Sequence, residues 1–220
     1  MKILPCLISA VTAIFASLCV GAESSVIESK KSLPLAYDVD VVVAGGSLVG
    51  VEAACAAADQ GASVLVVESR PYLGYDLCAN QKLWLDPDEN PETEITHTLF
   101  EGKRQVTPLE VKAALDNALL KRKVKFLTGS FPAELLVDEN GVPSGLTMVN
   151  RSGRQAIRAK VVIDATPHAL LVRQCSGKLT PFEPGMRAGQ FTVIGEKLQE
   201  GDQAFRGRHQ LLGIHTEVLG

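Results

Sequence analysis

Neither a basic surplus nor a supply of aromatics is present in this chain. Its 220 residues carry a net charge of -3, and aromatics make up 5%, with one tryptophan. A nucleic-acid partner would call for a basic face or stacking platforms, so neither duplex nor single-strand binding is expected. Five cysteines occur without CxxC spacing. Cys6 and Cys19 fall in an apolar leader, which leaves Cys55, Cys78 and Cys175, an odd number that argues against a disulfide framework or a zinc site. Histidine is scarce too, and His97, His168, His209 and His215 form no cluster in sequence, so no metal is expected. Internal repeats, low-complexity tracts and a twin-arginine signal are likewise missing.

The leader is the first positive feature. Lys2 precedes a mostly apolar stretch, Ile3 to Val20, and Val20-Gly21-Ala22 offers the small residues that signal peptidase prefers. Residues 1–22 therefore read as a signal peptide of an exported (periplasmic or secreted) protein. Ser9, Thr12 and Ser17 weaken the rival reading, a retained membrane anchor, and no stable span is expected after cleavage. Residues 23–37 are polar and read as a linker.

The stretch around which the rest is organised runs from Asp38 to Arg70. Val39, Val41, Val42 and Val43 suit a strand buried on both faces of a parallel sheet. Gly45, Gly46, Ser47 and Gly50 follow at once, then an alanine-rich helical stretch from Val49 to Gln60, capped by Gly61. A second strand, Ser63 to Val67, ends at Glu68. This βαβ unit has a phosphate-binding turn at its first crossover, where a helix N-terminus offers free N–H groups and a positive dipole end. The acid at a spacing of about 20 residues is placed to accept from a ribose diol. Ser47 stands where the middle glycine of G-x-G-x-x-G would be, and its hydroxyl is able to donate to a phosphate oxygen. A βαβ unit without a ligand is the blander account of the same pattern.

Downstream, Arg70 and Gly74 lie in a loop at the carboxyl edge of the sheet, the edge where open α/β folds bind ligands. Residues 86–106 are acidic and poorly periodic and read as an exposed insertion. Thr107-Pro108-Leu109-Glu110 is a capping box that launches a helix through Leu120. Strands are expected at Val124–Thr128, Ala133–Val137, Leu146–Asn150 and Gln155–Ala159, the last three a β-meander, followed by a separate buried strand at Val161–Asp164. The fold class is thus α/β, a Rossmann-like parallel sheet with an inserted β-meander. Beyond Gly177, only Phe191–Ile194 and the stretch from Ile214 read as regular elements.

Asp40–Gly50, Val64–Gly74, Lys112–Leu120 and Ala159–Thr166, in this order, resemble the flavin-dependent oxidoreductases of the glutathione-reductase-like superfamily. More narrowly the chain resembles the broad FAD-dependent oxidoreductase family. The resemblance implies an FAD/NAD(P)-binding domain over residues 38–177 and the start of an incomplete substrate domain over 178–220, as in an N-terminal fragment. It implies FAD as cofactor, with Gly45, Gly46, Ser47 and Gly50 along the pyrophosphate, and Glu68 on ribose with Arg70 and Gly74 nearby. Pro132 would then contribute backbone to adenine, and Ala165 and Thr166 would lie beside the cofactor. The chain departs from the family pattern at Ser47, at Tyr75 (usually glycine) and at Pro167 (usually glycine). The implied activity is oxidation of a small-molecule substrate by hydride transfer to flavin, with an unidentified electron acceptor. Two alternatives stay open at this point: an NAD-linked Rossmann dehydrogenase, against which the meander argues, and a non-catalytic secreted remnant of a nucleotide fold. Catalytic residues are unknown; His168, near the expected cofactor edge, is the best histidine candidate.

Overall fold

The computed structural model describes residues 32–175, together with the backbone of 189–194, 208–210 and 214–219. The leader assigned to residues 1–22 lies outside the described residues. So does most of 178–220.

Strand β1 (Leu35–Ala44) leads through a glycine turn into helix α1 (Leu48–Asp59), and β2 (Val64–Val67) returns parallel to β1. A one-turn helix α2 (Tyr75–Cys78), a short α3 (Glu94–Leu99) and a longer α4 (Pro108–Lys121) follow, before β3 (Lys125–Leu127), β4 (Phe131–Val137), β5 (Pro143–Asn150) and β6 (Gly153–Asp164). The six strands form one sheet in the order β3-β2-β1-β6-β5-β4. Pairing is parallel from β3 to β6 and antiparallel from β6 to β4. Strands β7 (Gly189–Ile194), β8 (Arg208–Gln210) and β9 (Ile214–Leu219) form a separate antiparallel sheet ordered β7-β9-β8.

The apolar run in β1 is buried on both faces, as its composition dictates. Val41, Val43, Val64 and Val66 pack with the helices, whereas Val42, Ala44, Leu65 and Val67 pack with Leu146, Met148 and Ile157 of the meander. Complete burial of a valine side chain contributes about 1.5–3 kcal/mol, so this central pair of strands anchors the domain. Helix α1 ends in a Schellman turn. Ala62 N–H donates to Ala57 O and Gly61 N–H to Ala58 O, with Gly61 at φ +82°. The capping box at Thr107 and Glu110 is present with Pro108 in the first turn.

Three expectations are corrected. First, β1 begins at Leu35, inside the stretch assigned to a 23–37 linker, because β6 offers a parallel partner along its length: Leu35 pairs with Ala156 and Ala156 N–H donates to Pro34 O. Second, residues 86–106 are exposed only in part. Ile95, Leu99, Phe100 and Val106 are buried in the core, and Thr93 caps α3 in a box closed by Thr96. The segment is too short to display helical periodicity, and threonine replaces the usual glutamate of the box. Third, Gln155–Ala159 and Val161–Asp164 are one continuous strand. Its first half pairs antiparallel with β5 and its second half lies wholly alongside β1.

The helical layer is tied by ion pairs. Arg122 donates to Asp59 of α1 at 2.8 Å and to Glu94 of α3 at 2.6 Å, and Lys121 meets Glu94 at 2.9 Å. The hydrogen bonds from Lys121 and Arg122 hold the Glu94 carboxyl at about 2, and Lys103 with the Thr107 cap holds Glu110 at about 2. Both values lie below the ordinary 4.5, so the stabilisation is present above that pH and is lost as pH falls towards 2. The thermal midpoint is expected to fall over that window, and less steeply in high salt. A midpoint flat across the window would show that these pairs contribute nothing. Among the described residues no helix is long and apolar enough to cross a membrane.

Candidate FAD-binding site

The carboxyl ends of β1, β2 and β6 converge on the glycine turn. Gly45, at φ +104°, takes a conformation that side chains rarely adopt, and a Cβ there would lie 2.4 Å from the Ala165 carbonyl oxygen. A Cβ at Gly50 would lie 2.2 Å from Gly45 O. The turn is therefore clamped between α1 and the end of β6, and only glycine fits at both places. Ala165 belongs to this clamp: its N–H donates to Ala44 O and its methyl group lies behind Gly50.

Ser47 is the N-cap of α1. Its hydroxyl accepts from Gly50 N–H at 3.1 Å, while its own proton is free to be donated elsewhere. Leu48 N–H donates to the Asp76 carboxylate. Among the described residues the N–H groups of Ser47 and Val49 meet no protein acceptor, and Val49 is 67% exposed. These two amides and the Ser47 hydroxyl are the donors left for an anion at the positive end of the helix.

Glu68 is 1% exposed and well satisfied. Its Oε2 accepts from Gly46 N–H at 2.6 Å, and its Oε1 accepts from Arg70 N–H at 2.7 Å and from Ser69 Oγ at 3.1 Å. Its first role is thus to lock the glycine turn onto the end of β2. The Oε2 atom keeps one lone pair for a further donor. Gly74, in the left-handed region at φ +77°, donates to Gly46 O at 2.7 Å and packs against Val111 and Leu115 of α4. Tyr75 is buried, and its ring carries the Arg70 guanidinium 4.2 Å from its centroid.

A cavity of about 290 Å³ opens beside the turn. Gly45, Glu68, Arg70, Pro132 and Thr166 line it, which brings together five of the residues expected at a cofactor site. Gly46, Ser47, Gly50, Gly74 and Ala165 are outside its lining and build the turn beside it. Ser69, Tyr75, Phe131, Pro167, His168 and Leu170 complete the wall. The roof over the cavity hangs on Asp164. Its Oδ1 accepts from Thr166 N–H and Oγ1, and its Oδ2 from Leu171 and Val172 N–H, at 2.7–3.0 Å. Burial, the largest single influence, raises its pKa, but these bonds together hold the carboxyl below 3.8. Asp76 and Asp164 were not singled out from sequence. Asp76 gives no local signal, since its role depends on α2 folding back over α1; Asp164 stood in plain view as the last residue of a strand.

A larger cavity of about 550 Å³ lies on the Leu48 and Glu52 side of α1. Asp88, Glu89 and Glu92 line it, with Lys82 as the cation. Its acidic wall does not suit a diphosphate. Cys55 and Cys78 are buried and burial pushes both thiols up, which fits packing rather than reactivity. No group of metal-ligating side chains occurs among the described residues.

The family model described as FAD dependent oxidoreductase matches residues 40–180. The chain belongs to that family. No curated protein sequence matches it. Among solved structures, this chain shares its fold with THI4 of Thermovibrio ammonificans at 19% identity and TM-score 0.52, covering 79% of this chain and 69% of that one. A geranylgeranyl bacteriochlorophyll reductase-like protein of Thermoplasma acidophilum matches at 19% identity and TM-score 0.55, covering 83% and 56%. The anhydrotetracycline hydroxylase OxyS of Streptomyces rimosus matches at 16% identity and TM-score 0.52, covering 82% and 45%. The chain thus spans about half to two thirds of these relatives. FAD is the cofactor that membership of the family indicates, and the clamped glycine turn with its two open amides fits a diphosphate.

Proposed function

We propose that this chain forms the nucleotide-holding part of an exported FAD-dependent oxidoreductase that oxidises a small molecule. Flavin, when bound, supplies the hydride-accepting chemistry. The protein's share is position and electrostatics. The Ser47 and Val49 amides and the Ser47 hydroxyl hold the diphosphate, the open lone pair of Glu68 meets the ribose, and Phe131 and Pro132 give an apolar wall for adenine. Thr166, Pro167 and His168 close the opposite side. Export rests on the leader at residues 1–22, and the electron acceptor is unidentified.

One observation carries this reading: Gly45 of the turn that leads into α1, the buried acid that follows β2 and Thr166 beyond the end of β6 line one cavity. Purified protein is expected to be yellow or to take up added FAD, and to release it on denaturation. Parallel titration with FAD and NADH tests the cofactor. A colourless protein that refuses FAD, or one that binds only NADH, would overturn the proposal.

A further inference from the structure

Leu48 is the first residue of α1, and its N–H points between the two carboxylate oxygens of Asp76, each 3.1 Å from the nitrogen. Asp76 comes from α2, placed there by the turn at Gly74. An anion of the chain's own therefore sits on the helix end whose next amides, Ser47 and Val49, are open. From the end of β2 it faces Glu68, whose charge repels it. Along α1 the nearest ionisable side chain is Glu52, one turn on. From α4 comes Lys112, but its ammonium is held over the Tyr72 ring at 4.2 Å, and the Arg70 guanidinium is held over Tyr75. No salt bridge reaches Asp76 among the described residues. Burial, the largest influence, pushes its carboxyl above the ordinary 3.8 in spite of the Leu48 bond.

We propose that Asp76 is a built-in counter-anion of the diphosphate site. It caps α1, and its charge opposes a dinucleotide at the same helix end, so that FAD binds more tightly when Asp76 is protonated. The inference rests on the flavin reading. Its sign is fixed by linkage: a bound dianion favours the neutral carboxyl, binding takes up a proton, and affinity falls as pH rises through the range in which Asp76 ionises.

The test is the Kd of FAD, by calorimetry or quenching of flavin fluorescence, for wild type and Asp76→Asn at about pH 5 and about pH 8. The bridging diphosphate of FAD keeps its charge between those values, so the ligand does not contribute to the slope. Asparagine still offers an oxygen to Leu48 N–H while removing the charge. Asp76→Asn is expected to bind about tenfold more tightly than wild type at the higher pH, with a flatter pH profile. Asp76→Ser, uncharged and smaller, serves if the amide variant fails to fold, and the same gain is expected. Affinity unchanged or weakened at the higher pH would overturn the proposal. So would a pH slope that survives undiminished in the variants, since it would not come from Asp76. Those results leave the flavin reading standing; failure of every form to bind FAD at either pH would remove both.

Discussion

Gly45→Val is expected to abolish folding before it abolishes binding. The new Cβ would lie 2.4 Å from the Ala165 carbonyl oxygen, a backbone atom that cannot turn aside, and valine would be forced to φ +104°. The conformational strain alone costs about 1–3 kcal/mol, and parting β1 from the end of β6 adds to it. A loss on the order of 4 kcal/mol or more is a large share of the roughly 5–15 kcal/mol that holds a domain together. The check is urea denaturation with the soluble yield as a second readout. A Gly45→Val protein with wild-type unfolding midpoint would show that the clamp is soft. The glycines of such turns are usually explained by the ligand. Here the hard contact is with the chain itself, and the ligand benefits from a turn that is already closed.

Glu68→Gln should cost nearly as much as deletion of the side chain, although it changes only one atom's chemistry. The carboxylate accepts from Gly46 N–H on one oxygen and from Arg70 N–H and Ser69 Oγ on the other, so either orientation of an amide turns its NH₂ group towards a backbone donor. A buried donor facing a donor, with the loss of charge-assisted bonds, costs about 2–4 kcal/mol. Both stability and FAD affinity are expected to fall, with Glu68→Ala falling slightly further. Chemical denaturation and FAD titration on the same preparations separate the two effects. A glutamine variant as stable as wild type would mean that the carboxylate does not lock the turn, and its role would revert to that of a ribose ligand alone.

The contrast between these residues shows what was legible from sequence. The valine run, the glycine turn, the alanine-rich helix and the terminal acid each leave a local mark, and the structure places them as one βαβ unit. The capping box at Thr107 was readable for the same reason: its spacing is its geometry. What escaped depends on partners distant in the chain. Leu35–Tyr37 is a strand only because β6 runs beside it, and Ile95 and Leu99 of α3 are buried only because α4 receives them. Ala165 looked like a cofactor neighbour and is the backstop of the glycine turn. Glu68 was read as waiting for a sugar, whereas most of its bonds are made to its own chain. Asp76 had no signal at all, since nothing in Gly74-Tyr75-Asp76 says that a one-turn helix will aim a carboxylate at residue 48.

The continuity of β6 has a practical outcome. Because one strand serves the parallel core on one side and the meander on the other, β4 and β5 are not a detachable ornament. A version trimmed of residues 131–150 would strip β6 of its outer neighbour and leave a bare row of amides and carbonyls, open to annealing with another copy. Protein engineers shortening this domain would thus open a route to edge-to-edge polymers.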